Sequence, residues 1–174
     1  LDLSGCYKLK NMRLGRITDM ANLKKLQMRG SLSDRGFASV CQLKQLEVLD
    51  IEWCTEISNL GFCDIVQLKE LKKLRRNRCN IGNQGFQSVC QLTKLVDLDM
   101  GSCTDILGQG YSDIVKLVRL KKLKLDECAI GKFAFSKVCE LKSLEELSMI
   151  QSEEGEFDNL TLRDLSSLKM LKEL

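Results

Sequence analysis

The chain has 174 residues, of which 27 are basic and 24 acidic, for a formal net charge of +3. Its apolar content of 44% is enough for a packed core at this length. No apolar run of about 18 residues is present, so no membrane-crossing helix is expected. Histidine is absent, which removes the commonest general base and the commonest metal ligand. Nine cysteines without one C-x-x-C pair do not give zinc-ligand spacing. A cysteine nucleophile would need an activating partner, and the sequence places none beside one. Gly108-Gln109-Gly110 is half of a dinucleotide fingerprint and lacks its third glycine. Neither catalysis nor a metal or other cofactor is expected.

In chain order, Leu1 and Leu3 occupy the fourth and sixth positions of a unit that becomes plain further on. Six segments follow: LKKLQMRGS, LEVLDIEWC, LKKLRRNRC, LVDLDMGSC, LKKLKLDEC and LEELSMIQS. They open at Leu23, Leu46, Leu71, Leu95, Leu120 and Leu144, at spacings of 23, 25, 24, 25 and 24 residues. A shift of 49 residues lays 46–94 over 95–143 with 22 of 49 positions identical, so the duplicated unit was a pair of repeats. Within each unit the L-x-L core has the inward–outward alternation of a short strand. The stretch 85–92 then sets Phe86, Val89 and Leu92 on one face of a short helix. Such a strand cannot cover its own apolar side, so successive units must stack and share one core. Leu171 and Leu174 open a further unit. Residues 1–174 therefore read as a single domain of about seven repeats, cut within a repeat at both ends and expected to come from a longer protein.

The motif L-x-x-L-x-L-x-x-C-x-x-I, as in 46–57 and 95–106, together with the remnant Ile17–Asp19, resembles the cysteine-containing leucine-rich repeats of F-box-type ubiquitin-ligase adaptors and of protozoan leucine-rich-repeat proteins. The units run about one or two residues shorter than that family's usual length. The opening LDLSGCYKLK also resembles repeats of plant nucleotide-binding immune receptors. The resemblance implies a right-handed α/β solenoid with a curved parallel sheet on its concave side and short helices on its convex side. It also implies protein recognition on that sheet, as the substrate-reading arm of a ubiquitin-ligase adaptor. The alternatives are the sensing arm of an intracellular immune receptor and a structural subunit of a larger assembly.

Cys54, Cys79, Cys103 and Cys128 fall where many such repeats carry Asn, a slot from which a small buried side chain bonds the turn leaving the strand; Cys6 falls in the same slot. Cys41, Cys90 and Cys139 recur at the helix, and Cys63, outside both series, is the thiol expected to be most exposed. Free thiols in structural slots predict a reducing, intracellular compartment, the cytoplasm or the nucleus. The Asn159-Leu160-Thr161 sequon is then a chance match, and Glu153-Glu154 a solvated loop.

The third, fifth, seventh and eighth positions of each unit face the concave side. The third-position row reads Lys25, Val48, Lys73, Asp97, Lys122, Glu146, and the fifth reads Gln27, Asp50, Arg75, Asp99, Lys124, Ser148. From Asp50 to Lys124 the sign alternates at each step, which places opposite charges side by side across the sheet, either as a ladder that satisfies itself or as a zwitterionic strip that selects a partner of complementary charge spacing. The seventh position carries Arg29, Glu52, Asn77, Gly101, Asp126 and Ile150. The eighth carries Gly30, Trp53, Arg78, Ser102, Glu127 and Gln151. Seven bases (Lys25, Arg29, Lys73, Arg75, Arg78, Lys122, Lys124) thus face seven acids (Asp50, Glu52, Asp97, Asp99, Asp126, Glu127, Glu146), a net of zero that disfavours nucleic acid and favours protein. Trp53, the only tryptophan, reads either as a binding anchor or as a surface ring that merely packs on Arg78 as a cation–π pair. Arg76 stands in a sixth-position core slot, so either it reaches the edge or the strand is distorted there. Lys44, Lys69, Lys94, Arg119, Lys142 and Lys169 form a basic rim where the chain returns to the strand.

Overall fold

A computed structural model describes residues 1–6, 14, 16–30, 32–150 and 164–173; the sequon, Glu153-Glu154 and Gln151 lie outside them. Among the described residues six three-residue strands form one parallel sheet in sequence order: β1 (Lys25–Gln27), β2 (Val48–Asp50), β3 (Lys73–Arg75), β4 (Asp97–Asp99), β5 (Lys122–Lys124) and β6 (Glu146–Ser148). Each strand is the x-L-x of its repeat, and its central leucine is buried. The register pairs Lys25 with Val48, Lys73, Asp97, Lys122 and Glu146 in turn, so the third- and fifth-position rows are the physical rungs. Single parallel bridges, Asp2 to Gln27 and Glu146 to Glu173, extend the same register at each end.

The outer layer alternates. Helices α1 (Asp34–Val40), α2 (Asn83–Val89) and α3 (Lys132–Val138) each close a repeat, and 3-10 segments Gly61–Gln67 and Gly108–Lys116 close the repeats between them. The repeats with 3-10 segments are the 25-residue ones, opening at Leu46 and Leu95. A 3-10 turn rises about 2.0 Å per residue against 1.5 Å in an α-helix, and these segments carry the β-branched pairs Ile65-Val66 and Ile114-Val115. The ancestral pair of repeats thus survives as two different closures. Leu92 lies beyond α2 rather than within it, yet is buried as expected.

Between the layers run apolar rows. Phe37, Phe62, Phe86, Tyr111 and Phe135 stack along the axis, with Phe37 and Phe62 parallel at 4.8 Å and Phe86 and Tyr111 tilted at 5.1 Å. Adjacent repeats are tied on the convex side by polar caps. Asp34 accepts from the amide and hydroxyl of Ser58, the Asn59 Oδ1 accepts the Gly82 and Gly85 amides, and Asn83 accepts the Leu107 amide. The glycine two residues past each cap position lets the next repeat approach: a Cβ on Gly110 would lie 2.4 Å from Asn83 Oδ1.

The ninth-position cysteines behave as a ladder. The Cys54, Cys79, Cys103 and Cys128 thiols donate to the carbonyls of Met28, Ile51, Arg76 and Met100, each one repeat back, at 3.2–3.5 Å. Cys6 departs from the expectation and is exposed. Cys63 is half-buried, its thiol 3.6 Å from the Asn59 carbonyl, so Cys6 is the more exposed of the two.

Arg76 corrects a second expectation. It neither reaches the edge nor distorts β3, whose register is intact. The side chain is fully buried, its guanidinium 4.2 Å from the centre of the Phe62 ring and its Nη1 3.5 Å from Cys103 Sγ. Its Nε and Nη2 have no hydrogen-bond partner among the described residues.

Candidate functional site

The concave surface is laid out by the strands and by the turn that leaves each of them. That turn has a feature the sequence reading missed. The eighth position is left-handed in every repeat whose eighth residue is described, with φ of 74° at Gly5, 68° at Gly30, 63° at Trp53, 56° at Arg78, 54° at Ser102 and 57° at Glu127. This conformation aims each amide at the seventh-position carbonyl of the next repeat: Gly30 to Glu52, Trp53 to Asn77, Arg78 to Gly101, Ser102 to Asp126 and Glu127 to Ile150. Glycine at the first of these slots was the available signal. For a non-glycine residue the conformation costs about 1–2 kcal/mol, so a tryptophan here is not placed for stability. Trp53 is 54% exposed, and the Arg78 guanidinium lies over its ring at 4.6 Å. Arg78 also approaches Glu127 at 3.8 Å, and Glu127 accepts a 2.6 Å bond from Ser102.

The two charge rows differ in a way their sequences do not announce. The third-position row is closed by ion pairs, Lys73 with Asp97 and Lys122 with Glu146, leaving Lys25 exposed at its start. In the fifth-position row the expected lateral pairs do not close. The Asp50 carboxylate is buried and turns back to the Arg29 guanidinium, which donates at 2.6 and 2.9 Å, and it also accepts the Glu52 amide. Glu52 is 3.5 Å from the same arginine. Asp50 is therefore an internal counter-ion rather than a surface offered to a partner. Arg75, Asp99 and Lys124 remain on three consecutive rungs, with no ion pair closer than 4 Å among the described residues. Burial pushes the Asp99 carboxyl above its ordinary range, against a bond from the Gly101 amide and the nearby Lys124. Asp126 is engaged within the turn by the Ser148 hydroxyl and the Ile150 amide. A shallow depression of about 260 Å³ adjoins this strip at β5 and β6, between Lys122, Lys124, Glu146, Ser148 and Glu173.

The basic rim is not one row. Counted back from the next repeat's leucine, Lys44, Lys69, Lys142 and Lys169 share one slot, while Lys94 and Arg119 occupy the slot after it, beside Glu70. Lys94 is paired to Glu70 at 2.7 Å, and Lys44 donates to the Cys41 carbonyl and to Gln67. The second position of the repeat, also overlooked from sequence, adds Lys24, Lys72, Lys121 and Lys172 to this edge, with Glu47 and Glu145 among them. Ten cations and three carboxylates lie along the edge where the chain enters the strands, a local surplus larger than the whole chain's +3.

No family model matches the chain, and no curated protein matches it. Among solved structures it is similar to an internalin of Listeria monocytogenes, with a TM-score of 0.68 and 20% identity over 99% of this chain and 57% of that one. It is similar to a leucine-rich-repeat protein of Leptospira interrogans, with a TM-score of 0.66 and 20% identity over 100% of this chain and 47% of that one. It is also similar to TLR13, solved as a complex with ssRNA13, with a TM-score of 0.64 and 20% identity over 85% of this chain and 22% of that one. The chain spans about half the length of the first two. The rungs, the cysteine ladder and these neighbours together make the fold a leucine-rich-repeat solenoid of the α/β kind, with its parallel sheet inside and short helices outside.

Proposed function

We propose that the chain is a protein-recognition module that reads its partner on the concave sheet, serving as the substrate-reading arm of an intracellular ubiquitin-ligase adaptor. The observation that carries the recognition reading is the contrast between the rows: the third position satisfies itself, whereas Arg75, Asp99 and Lys124 present a plus–minus–plus strip beside a strained, exposed Trp53. Rungs are about 4.8 Å apart, so the strip suits a partner whose charged side chains alternate at that spacing. The adaptor assignment is supported by the cysteine-containing repeat motif alone, and the intracellular one by thiols held in core slots. The neighbouring TLR13 complex contains RNA, but the balanced charge of this concave face lacks the surplus that phosphate binding needs.

The test begins with a pull-down of the parent protein and mass spectrometry, followed by calorimetric titration of the partner. Trp53→Gly removes the anchor and relieves the left-handed strain together. It should weaken binding by about 2 kcal/mol or more while leaving the melting temperature equal or higher. Arg75→Glu should weaken it as well, and Lys142→Glu, on the entering edge, should not. Binding that survives Trp53→Gly and Arg75→Glu but is lost with Lys142→Glu would move the site off the concave face. Filter binding of RNA with a steep inverse salt dependence would replace protein by RNA as the ligand.

A further inference from the structure

Along the edge where the chain enters the strands, the second-position row reads Lys24, Glu47, Lys72, Val96, Lys121, Glu145, Lys172. Two of its members bridge their neighbours. Glu47 lies 3.1 Å from Lys24 and 2.7 Å from Lys72, and Glu145 lies 2.7 Å from both Lys121 and Lys172. Both glutamates are held in the carboxylate form by these lysines, with Glu145 lowered to about 2. Val96 occupies the same backbone station as the two glutamates. The Glu47 amide donates to Lys24 O at 2.8 Å and its carbonyl accepts from Lys72 N at 2.8 Å; for Glu145 the partners are Lys121 and Lys172, both at 2.8 Å. For Val96 they are Lys72 at 2.8 Å and Lys121 at 2.9 Å. The central rung therefore has the two flanking lysines and the backbone frame of a bridging carboxylate, but an aliphatic side chain in its place.

We infer that this rung is a docking point for an acidic polypeptide segment, whose carboxylate takes a second contact over Val96 from Lys72 and Lys121, each already paired outward to Glu47 or Glu145. Lys94 and Arg119 on the adjoining slot add positive charge, Arg119 with no ion pair among the described residues. Three observations favour polypeptide over nucleic acid. The group this edge already accommodates is a side-chain carboxylate. Among the described residues no aromatic side chain is interleaved among the edge cations to stack a base. Val96 is half-buried and Val118, 65% exposed on the same edge, offers apolar surface that an acidic segment with aliphatic residues can cover. The site is separate from the concave strip and stands or falls independently of it.

The decisive variant is Val96→Glu. It restores the pattern of the two flanking clamps, so the fold should be kept or made more stable, while the bridging position becomes occupied from within. The probe is fluorescently labelled poly-L-glutamate, titrated by anisotropy at low salt against the full chain, with an oligouridylate of equal length in parallel. Wild type should bind poly-glutamate, and Val96→Glu should weaken it about tenfold or more through like-charge opposition. The double variant Lys72→Gln/Lys121→Gln should weaken it comparably, and Trp53→Gly should leave it unchanged. Unchanged poly-glutamate binding in a folded Val96→Glu would overturn the inference. So would oligouridylate binding that is tighter than poly-glutamate and equally sensitive to Val96→Glu, which would make the edge a nucleic-acid contact.

Discussion

Replacing Arg76 by methionine should stabilise this protein, and the size of the gain follows from what surrounds the guanidinium. The slot is a core position filled in other repeats by Met28, Ile51, Met100, Leu125 and Met149, so methionine fits the shape. In its favour the arginine has the Phe62 face at 4.2 Å, worth about 2 kcal/mol when desolvated, and one bond to the Cys103 sulfur, worth roughly 1 kcal/mol. Against it stands the removal of a full charge from water with no carboxylate in contact, a penalty of several kcal/mol. Burial draws its pKa down for the same reason. Exchanging buried charge for apolar volume is typically neutral or favourable by about 1–4 kcal/mol. In a domain of this size each kcal/mol shifts the melting temperature by about 2–4 °C. Arg76→Met should therefore melt higher by several degrees in calorimetry, and Arg76→Ala, which leaves a cavity, should melt below Arg76→Met by an amount reflecting about 2–5 kcal/mol. A melting temperature that drops with methionine would refute the reasoning, since it would mean the buried cation is a net source of stability.

Other measurements probe the rungs and the thiols. Titration of native protein with a thiol reagent should find two accessible groups, Cys6 and Cys63, rising to nine on denaturation; burial pushes Cys79 and Cys128 up to about 12, which keeps them unreactive. Leu98, at the centre of β4 and fully buried, should cost about 2–5 kcal/mol when cut to alanine, and an unchanged melting temperature would mean the strand register is wrong. Asp99→Asn keeps an oxygen for the Gly101 amide while removing a carboxylate that burial disfavours, so it should raise stability at neutral pH and weaken partner binding. Because the folded state holds that proton more tightly than the unfolded chain, wild-type stability attributable to Asp99 should increase as pH falls toward its raised pKa. The variant should lose that pH dependence.

The rungs were legible in the sequence because leucine spacing fixes them: once Leu23 through Leu144 are aligned, the third- and fifth-position rows can only be those the sheet displays. Which charges would meet was not legible, since Asp50 reaches diagonally to Arg29 on the turn instead of sideways to Arg75. The left-handed slot was half-visible, with Gly30 pointing to it but Trp53, Arg78, Ser102 and Glu127 concealing it. The alternation of α and 3-10 closures was present as one extra residue in every second repeat, a length difference whose meaning depends on rise per residue. The basic rim read as a single row for a simpler reason. Stepping by 25 residues groups Lys94 and Arg119 with Lys44 and Lys69, whereas counting back from the following leucine separates them. Arg76 was marked as anomalous, but neither escape considered for it is the one the core provides: a ring face and a thiol, both from neighbouring repeats.

The placement of costs along the solenoid bears on function. Trp53 in a left-handed turn, Arg76 buried without a carboxylate and Asp99 partly desolvated all fall in β2 to β4 or the turns that follow them. The ionic bridges built on Glu47 and Glu145 fall to either side of the central rung, linking Lys24 to Lys72 and Lys121 to Lys172. In a one-dimensional stack each repeat is held only by its neighbours, so an unfavourable residue at a central rung must be carried by the interfaces on both sides. Trp53 and Asp99, where glycine and asparagine would fit the same slots at lower cost, follow the pattern expected of a surface kept for binding rather than for stability, whereas Arg76 is fully buried and lies on no surface. The exposed ring of Trp53 and the desolvated carboxylate of Asp99 are independent of each other, and both would be accounted for if the partner of the proposed recognition module docks between β2 and β5.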